Sequence, residues 1–149
     1  MIINCNSTKI DLYEGHVMGV LNVTPDSFYD GGKYKDLNSI VSQAKQMLED
    51  GATFIDIGGA STKPGADVVD EKEEINRVIP AINAIKKHAP KAIISIDTTS
   101  SIVAEKAVTS GASIVNDISA GTFDDRMLDV VASLGIPYIT CLLYTSDAA

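Results

Sequence analysis

The stretch Met18-Gly-Val-Leu-Asn22-Val-Thr-Pro25-Asp-Ser-Phe28-Tyr-Asp30-Gly-Gly32 sets the pattern of the chain. An apolar run, Val17 to Leu21, has the length and composition of a buried strand. It stops at Asn22 and opens into a polar loop punctuated by Pro25 and by Gly31-Gly32. Thr24, Asp26, Ser27, Phe28 and Asp30 crowd into that loop. A loop that only had to turn the chain would not need a phenylalanine.

The same event recurs downstream. Thr53 to Ile57 is a β-branched run that ends at Asp56-Ile57-Gly58-Gly59, Ala92 to Ile96 closes on Asp97-Thr98, and Ser113 to Val115 closes on Asn116-Asp117. Helical stripes lie between the runs. Leu37, Ile40, Val41, Ala44, Met47 and Leu48 form the first, after a cap at Asp36 or Asn38. Ile75, Val78, Ile79, Ile82 and Ile85 form the second. Asp70 with Glu73 fits a capping box at its start, and Pro80 predicts a kink or a break near Val78. A third helix is predicted over Ser101–Ser110. A fourth is predicted over Asp124–Leu134, with Met127, Leu128 and Val131 inward. Gly51, Gly111 and Gly135 are left-handed stops, and a fifth strand starts at Ile136 or Pro137. Ahead of all this, Ile2–Cys5 and Lys9–Leu12 read as a small hairpin around Asn6-Ser7-Thr8.

Strands alternating with helices predict an α/β fold of parallel strands and right-handed crossovers. A (β/α) barrel and an open doubly wound sheet both satisfy that. No glycine-rich phosphate fingerprint follows the first strand. The polar strand ends Asn22, Asp56, Asp97 and Asn116-Asp117 favour the barrel, where such ends share one face with the loops that build active sites. For Asp117, capping or turn formation remains an equal alternative.

The chain has 149 residues, enough for one core, with 45% hydrophobic and 21% charged residues. A net charge of −8 argues against a nucleic-acid partner. It leaves room for a phosphorylated small molecule held by a metal ion or by backbone N–H groups. No apolar run reaches membrane-span length, and Met1 to Asn6 shows no leader pattern, so the expectation is cytoplasmic with no membrane partner. Cys5 and Cys141 suggest neither a disulfide framework nor a metal site. His16 and His88 read as structural or surface residues, and Asp70 to Glu74 as a solvated helix start.

Four of these stretches carry a family resemblance: Met18 to Gly32, Asp56 to Gly65, Ile94 to Thr98 and Gly111 to Asp117. In this order they resemble dihydropteroate synthase, the pterin-binding enzyme of folate synthesis and the target of sulfonamides. The resemblance runs from about residue 15 to about residue 140. It implies a (β/α)8 TIM barrel, here about four βα units plus a fifth strand. It implies that 6-hydroxymethyl-7,8-dihydropterin diphosphate joins p-aminobenzoate with the help of Mg2+, giving 7,8-dihydropteroate and diphosphate. Asn22 then sits on the metal side. Phe28 and Asp30 belong to a loop that closes over a pterin cation, where a ring excludes water and a carboxylate stabilises positive charge. Thr62, Lys63 and Pro64, with Ser61 beside them, form a wall of the aminobenzoate site. Lys63 stands where the common bacterial pattern has arginine; it keeps the charge but loses the planar fork. Asp97 and Asn116 match positions that hold the pterin ring, an acceptor beside a group that both donates and accepts. Asp56 and Asp117 are weaker candidates for the same face.

A full barrel of this kind has roughly 250 residues. After Ile139-Thr140 the sequence Cys-Leu-Leu-Tyr-Thr-Ser-Asp-Ala-Ala leaves the family pattern. Residues 1–140 are therefore expected to be the N-terminal part of the barrel, and 141–149 a foreign or mistranslated tail. The family's other pterin-binding Asp, its Lys, its Arg/His pair for the diphosphate, and most of its homodimer contacts lie in the other half. The expectation is a chain without turnover on its own. The alternatives are a corrinoid-linked methyltetrahydrofolate methyltransferase-type barrel, against which the Phe28–Asp30 loop argues, and a non-catalytic pterin-binding module.

Overall fold

The computed structural model describes residues 1–23, 33–59 and 69–140, with 33–36 as backbone only. The chain opens with an antiparallel hairpin, β1 (Ile2–Cys5) and β2 (Thr8–Asp11). Asn6 takes the left-handed conformation at its turn, φ 56°, which a short polar side chain tolerates. Then come β3 (Met18–Asn22), α1 (Lys33–Glu49), β4 (Phe54–Gly58), α2 (Glu71–His88) and β5 (Ile93–Asp97). They are followed by α3 (Ser101–Thr109), β6 (Ile114–Asp117), α4 (Met127–Leu134) and β7 (Tyr138–Thr140).

Strands β3 to β7 form one parallel sheet in chain order, β3-β4-β5-β6-β7. A doubly wound sheet reverses strand order at a switch point. None occurs among these five strands, so the barrel-type winding expected from the strand ends is the one observed.

Side chains alternate across each strand. One face of the sheet carries Leu21, Ile55, Ile57, Ile94, Ile96 and Val115, all buried against the inner stripes of α1 to α4. The other face is layered. Met18, Phe54 and Ile93 stand side by side near the strand starts; Val20, Asp56, Ser95 and Ile114 come next; Asn22, Gly58, Asp97 and Asn116 lie at the strand ends. The hairpin covers the lower end of this face, packing Ile3, Cys5 and Ile10 against Met18, Phe54, Ile93 and Ile114. His16 ties the hairpin in place. Its Nε2 lies 2.8 Å from the Asp11 carbonyl oxygen and its Nδ1 3.1 Å from Thr53 Oγ1, which makes it a structural histidine.

Several local expectations are corrected. α2 is not broken at Pro80; it runs through to His88. Pro80 and Asn76 both lie on the exposed side, so the carbonyl that loses its helical partner meets solvent. Asp70 does sit at the N-cap position, φ −63° and ψ 141°, but its side chain makes no capping hydrogen bond, so the capping box does not form. The Asp70–Glu74 segment is not all solvated: Glu74 is buried. Leu128 is 55% exposed rather than inward, lying over Gly121, while Met127 and Val131 are buried. α4 begins at Met127, three residues later than predicted, after the turn in which Met127 N donates to the Asp124 carbonyl. Gly51, Gly111 and Gly135 all take positive φ, as helix stops of that kind require.

Candidate active site

Strand pairing places four residues from four strands in one row. Asn22 pairs with Gly58, Gly58 with Asp97, and Asp97 with Asn116. Gly58 is the gap in that row. A Cβ built there would lie 3.4 Å from Asn22 Oδ1 and 3.4 Å from Asp97 Oδ2. The amide of Asn22 and the carboxylate of Asp97 therefore flank a position with no side chain of its own. One layer deeper on β4, Asp56 is 4% exposed, and its Oδ2 accepts a 3.0 Å hydrogen bond from Asn116 Nδ2. That bond fixes the Asn116 amide and uses one of its two N–H groups.

The charge in this cluster is like-signed and poorly hydrated. Burial first, then the neighbouring carboxylates of Asp56, Glu74 and Asp117, pushes the Asp97 carboxyl up from 3.8 to about 6. Glu74, on the first turn of α2, is also pushed up by burial, with Thr98 pulling the other way. Three buried oxygens here, Asp56 Oδ1, Glu74 Oε1 and Ser95 Oγ, have no hydrogen-bond partner among the described residues.

Asp117 does not join the row. Alternation sends it away from Asn116, and it is fully buried. Its Oδ1 accepts from Ser119 N and Ser119 Oγ, both at 2.7 Å, and its Oδ2 from Gly121 N at 2.8 Å and Tyr138 Oη at 2.7 Å. It organises the β6–α4 turn and anchors β7, so the capping alternative is the one realised. The N-terminus of α3 is likewise satisfied internally. Ser100 Oγ accepts from Val103 N at 3.3 Å and donates to Glu71 Oε1 at 2.6 Å, while Asp124 Oδ2 takes Ser101 N at 2.7 Å.

Of the sequence-predicted site residues, the structure brings Asn22, Asp97 and Asn116 together, with Asp56 beneath them. Phe28, Asp30, Ser61, Thr62, Lys63 and Pro64 lie outside the described residues, as does Cys141. The entry to the second loop is anchored at Gly59. Its carbonyl accepts from Arg77 Nη1 at 2.8 Å, and Arg77 is oriented by Glu73 at 3.1 Å. Gly58, Ser95 and Glu74 were not singled out from sequence. For Ser95 a signal existed, one hydroxyl inside the run Ile93-Ile94-Ser95-Ile96. Among the described residues no group of three or more His, Cys, Asp or Glu side chains could hold a metal. A single amide oxygen at Asn22 suits a magnesium ion that takes its other ligands from water and substrate.

A parallel α/β half-barrel with a polar row at its strand ends defines a class of ligand-binding barrel. The model of the family described as pterin binding enzyme matches residues 18–147, and the chain belongs to that family. Within it, the proteins this chain is similar to include dihydropteroate synthases. The dihydropteroate synthase of Bacillus subtilis is 52% identical over 123 residues, 83% of this chain and 43% of that protein. Xanthomonas albilineans dihydropteroate synthase with 4-aminobenzoic acid superposes with a TM-score of 0.87 at 37% identity, covering 99% of this chain and 53% of that one. The same enzyme in complex with 7,8-dihydropteroate gives a TM-score of 0.79 at 35% identity, covering 93% of this chain and 49% of that one. The chain thus spans about half the length of the solved relatives it matches.

Proposed function

We propose that this chain carries the pterin-side half of a dihydropteroate synthase active site. The reaction condenses 6-hydroxymethyl-7,8-dihydropterin diphosphate with p-aminobenzoate to give 7,8-dihydropteroate and diphosphate. The supporting observation is the register of Asn22, Gly58, Asp97 and Asn116 across four neighbouring strands. A flat heterocycle with a mixed donor and acceptor edge suits such a row. Asp97, when ionised, accepts from ring N–H and amino groups. Asn116 donates and accepts, and its amide is held still by Asp56. Gly58 leaves the space between Asn22 and Asp97 open.

Asn22 is the residue that would hold Mg2+, with water and diphosphate oxygens as the other ligands. Such an ion supplies charge neutralisation for the departing diphosphate. Phe28 and Asp30 are assigned to the electrophile: the ring excludes water and the carboxylate faces positive charge. Ser61, Thr62, Lys63 and Pro64 are assigned to the aminobenzoate wall. Lys63 supplies a point charge for a carboxylate in place of a bidentate fork.

The row Asn22, Asp97 and Asn116 is expected to bind the pterin. Calorimetry with 6-hydroxymethylpterin tests the site. Binding that is weakened by Asp97→Ala and by Asn116→Ala supports it, and no binding by the unmodified chain sinks it. Steady diphosphate release that is lost in Asn22→Ala would show that these residues also suffice for turnover.

A further inference from the structure

We propose that Asp56 Oδ1 and Ser95 Oγ form a second polar subsite one layer below the Asp97–Asn116 row, filled by one small donor–acceptor group: a water molecule or a ligand's amino nitrogen. The amino arm of this proposal rests on the pterin reading above; the water arm does not.

Asp56 and Ser95 are direct partners across β4 and β5, and their side chains stand on the same inward face. Asp56 is 4% exposed and Ser95 fully buried, and among the described residues neither Asp56 Oδ1 nor Ser95 Oγ has a hydrogen-bond partner. They do not bond each other. Neighbouring strands lie about 4.8 Å apart, so one atom placed between the two oxygens can reach both. The carboxylate cannot easily turn away, because Asn116 Nδ2 holds its other oxygen at 3.0 Å. Ile114 stands beside Ser95 in the same layer, and below the pair Phe54 and Ile93 with Cys5 of the hairpin make an apolar floor. Directly above Asp56 on the same strand face is Gly58, which has no side chain to fill the way down from the row.

The chemistry of the pair restricts the occupant. A carboxylate oxygen can only accept, so the group must donate to it. A hydroxyl can donate or accept, so the same group can be satisfied from both sides. A carbonyl or an anion fails at Asp56. Among the described residues no group of three or more carboxylates, histidines or cysteines makes a metal site there. Two adjacent buried polar oxygens, one an acceptor and one able to donate or accept, are the setting in which proteins hold an internal water.

The test is a high-resolution crystal structure of the chain, with and without 6-hydroxymethylpterin, together with Ser95→Ala. In the ligand-free crystal, one-atom density within hydrogen-bond distance of both oxygens is expected, and it should vanish in Ser95→Ala. Ser95 Oγ satisfied elsewhere with no density at the subsite would overturn the proposal. Thermal unfolding gives a second readout. Ser95→Ala should lower the melting temperature if the hydroxyl holds a water; a rise would mean that the subsite is dry and the hydroxyl an orphan, and the proposal fails. With ligand bound, an amino nitrogen in place of the water should make Ser95→Ala weaken pterin binding roughly tenfold, about one hydrogen bond, with a 2-deamino analogue unaffected. A water retained beside bound pterin would support water as the occupant. If the pterin does not bind at all, the proposed function fails, and the ligand-free density and melting shift still decide the subsite.

Discussion

Asn116 Nδ2 donates to Asp56 Oδ2 at 3.0 Å, joining β6 to β4 over the intervening β5. Asp56 is 4% exposed, so this amide is the donor that compensates a buried charge. Asn116→Ala strands that carboxylate and should cost about 2–4 kcal/mol of stability. Asp56→Ala removes the charge itself and should cost less, because the half-buried amide can turn to solvent. Urea unfolding of both single variants and the double variant should give a coupling of about 1–3 kcal/mol. Additive effects would show that the pair is not formed in solution.

The Asp97 carboxyl, raised from 3.8 to about 6, makes stability depend on pH in a defined direction. The folded state holds this proton more tightly than the unfolded state. Stability from this group is therefore fully present below about 4, falls as pH rises towards 6, and is level above that. The full shift corresponds to at most about 3 kcal/mol, and solvent screening of a partly exposed side chain reduces it. Asp97→Asn should flatten the curve of melting temperature against pH between 4 and 6, and should raise the melting temperature at neutral pH. Parallel curves for the two proteins would refute the shift.

Much of this site was legible because a polar residue ending a β-branched run is conspicuous. Asn22, Asp56, Asp97 and Asn116 were all visible that way. What the sequence does not display is register. Asn22, Asp97 and Asn116 line up through Gly58, and nothing in the local sequence says that a glycine stands between two polar heads. Asp117 shows the same limit: once Asn116 is known to face inward, Asp117 must face the helices, but only pairing decides which of the two faces inward. Glu74 was misread for a different reason. It lies in a run of charged residues whose other members are exposed, and its burial depends on the missing side chain of a distant residue, Gly59.

Glu74 gives a third expectation. It is 6% exposed, its Oε1 has no partner among the described residues, and burial pushes its carboxyl up from 4.5. Holding it ionised costs stability at alkaline pH. Glu74→Gln keeps the shape and removes the charge, so it should stabilise the chain by about 1 kcal/mol at pH 8 and by less near pH 5. The check is the difference in melting temperature at the two pH values. A variant less stable at pH 8 would mean that Oε1 of the ionised carboxylate has a donor in solution.

Gly58 and Gly59 are adjacent but should fail in opposite ways. A Cβ at Gly59 would meet Val78 Cγ1 at 2.7 Å, Glu74 Cγ at 3.0 Å and the Glu74 carbonyl oxygen at 3.2 Å, so the first turns of α2 would have to move. Gly59→Ala should therefore destabilise the fold by about 1–3 kcal/mol. A Cβ at Gly58 meets Asn22 Oδ1 and Asp97 Oδ2 only at ordinary contact distance, 3.4 Å each. Gly58→Ala should change stability by less than about 1 kcal/mol, since alanine also restricts the unfolded chain. It nevertheless puts a methyl group where the ligand ring would sit between the two polar heads, and pterin affinity should drop by about tenfold or more, the scale of one misplaced hydrogen bond. Unfolding midpoints and calorimetric binding on the two variants separate the effects. A Gly58→Ala protein that binds the pterin normally would show that the ring does not use this gap.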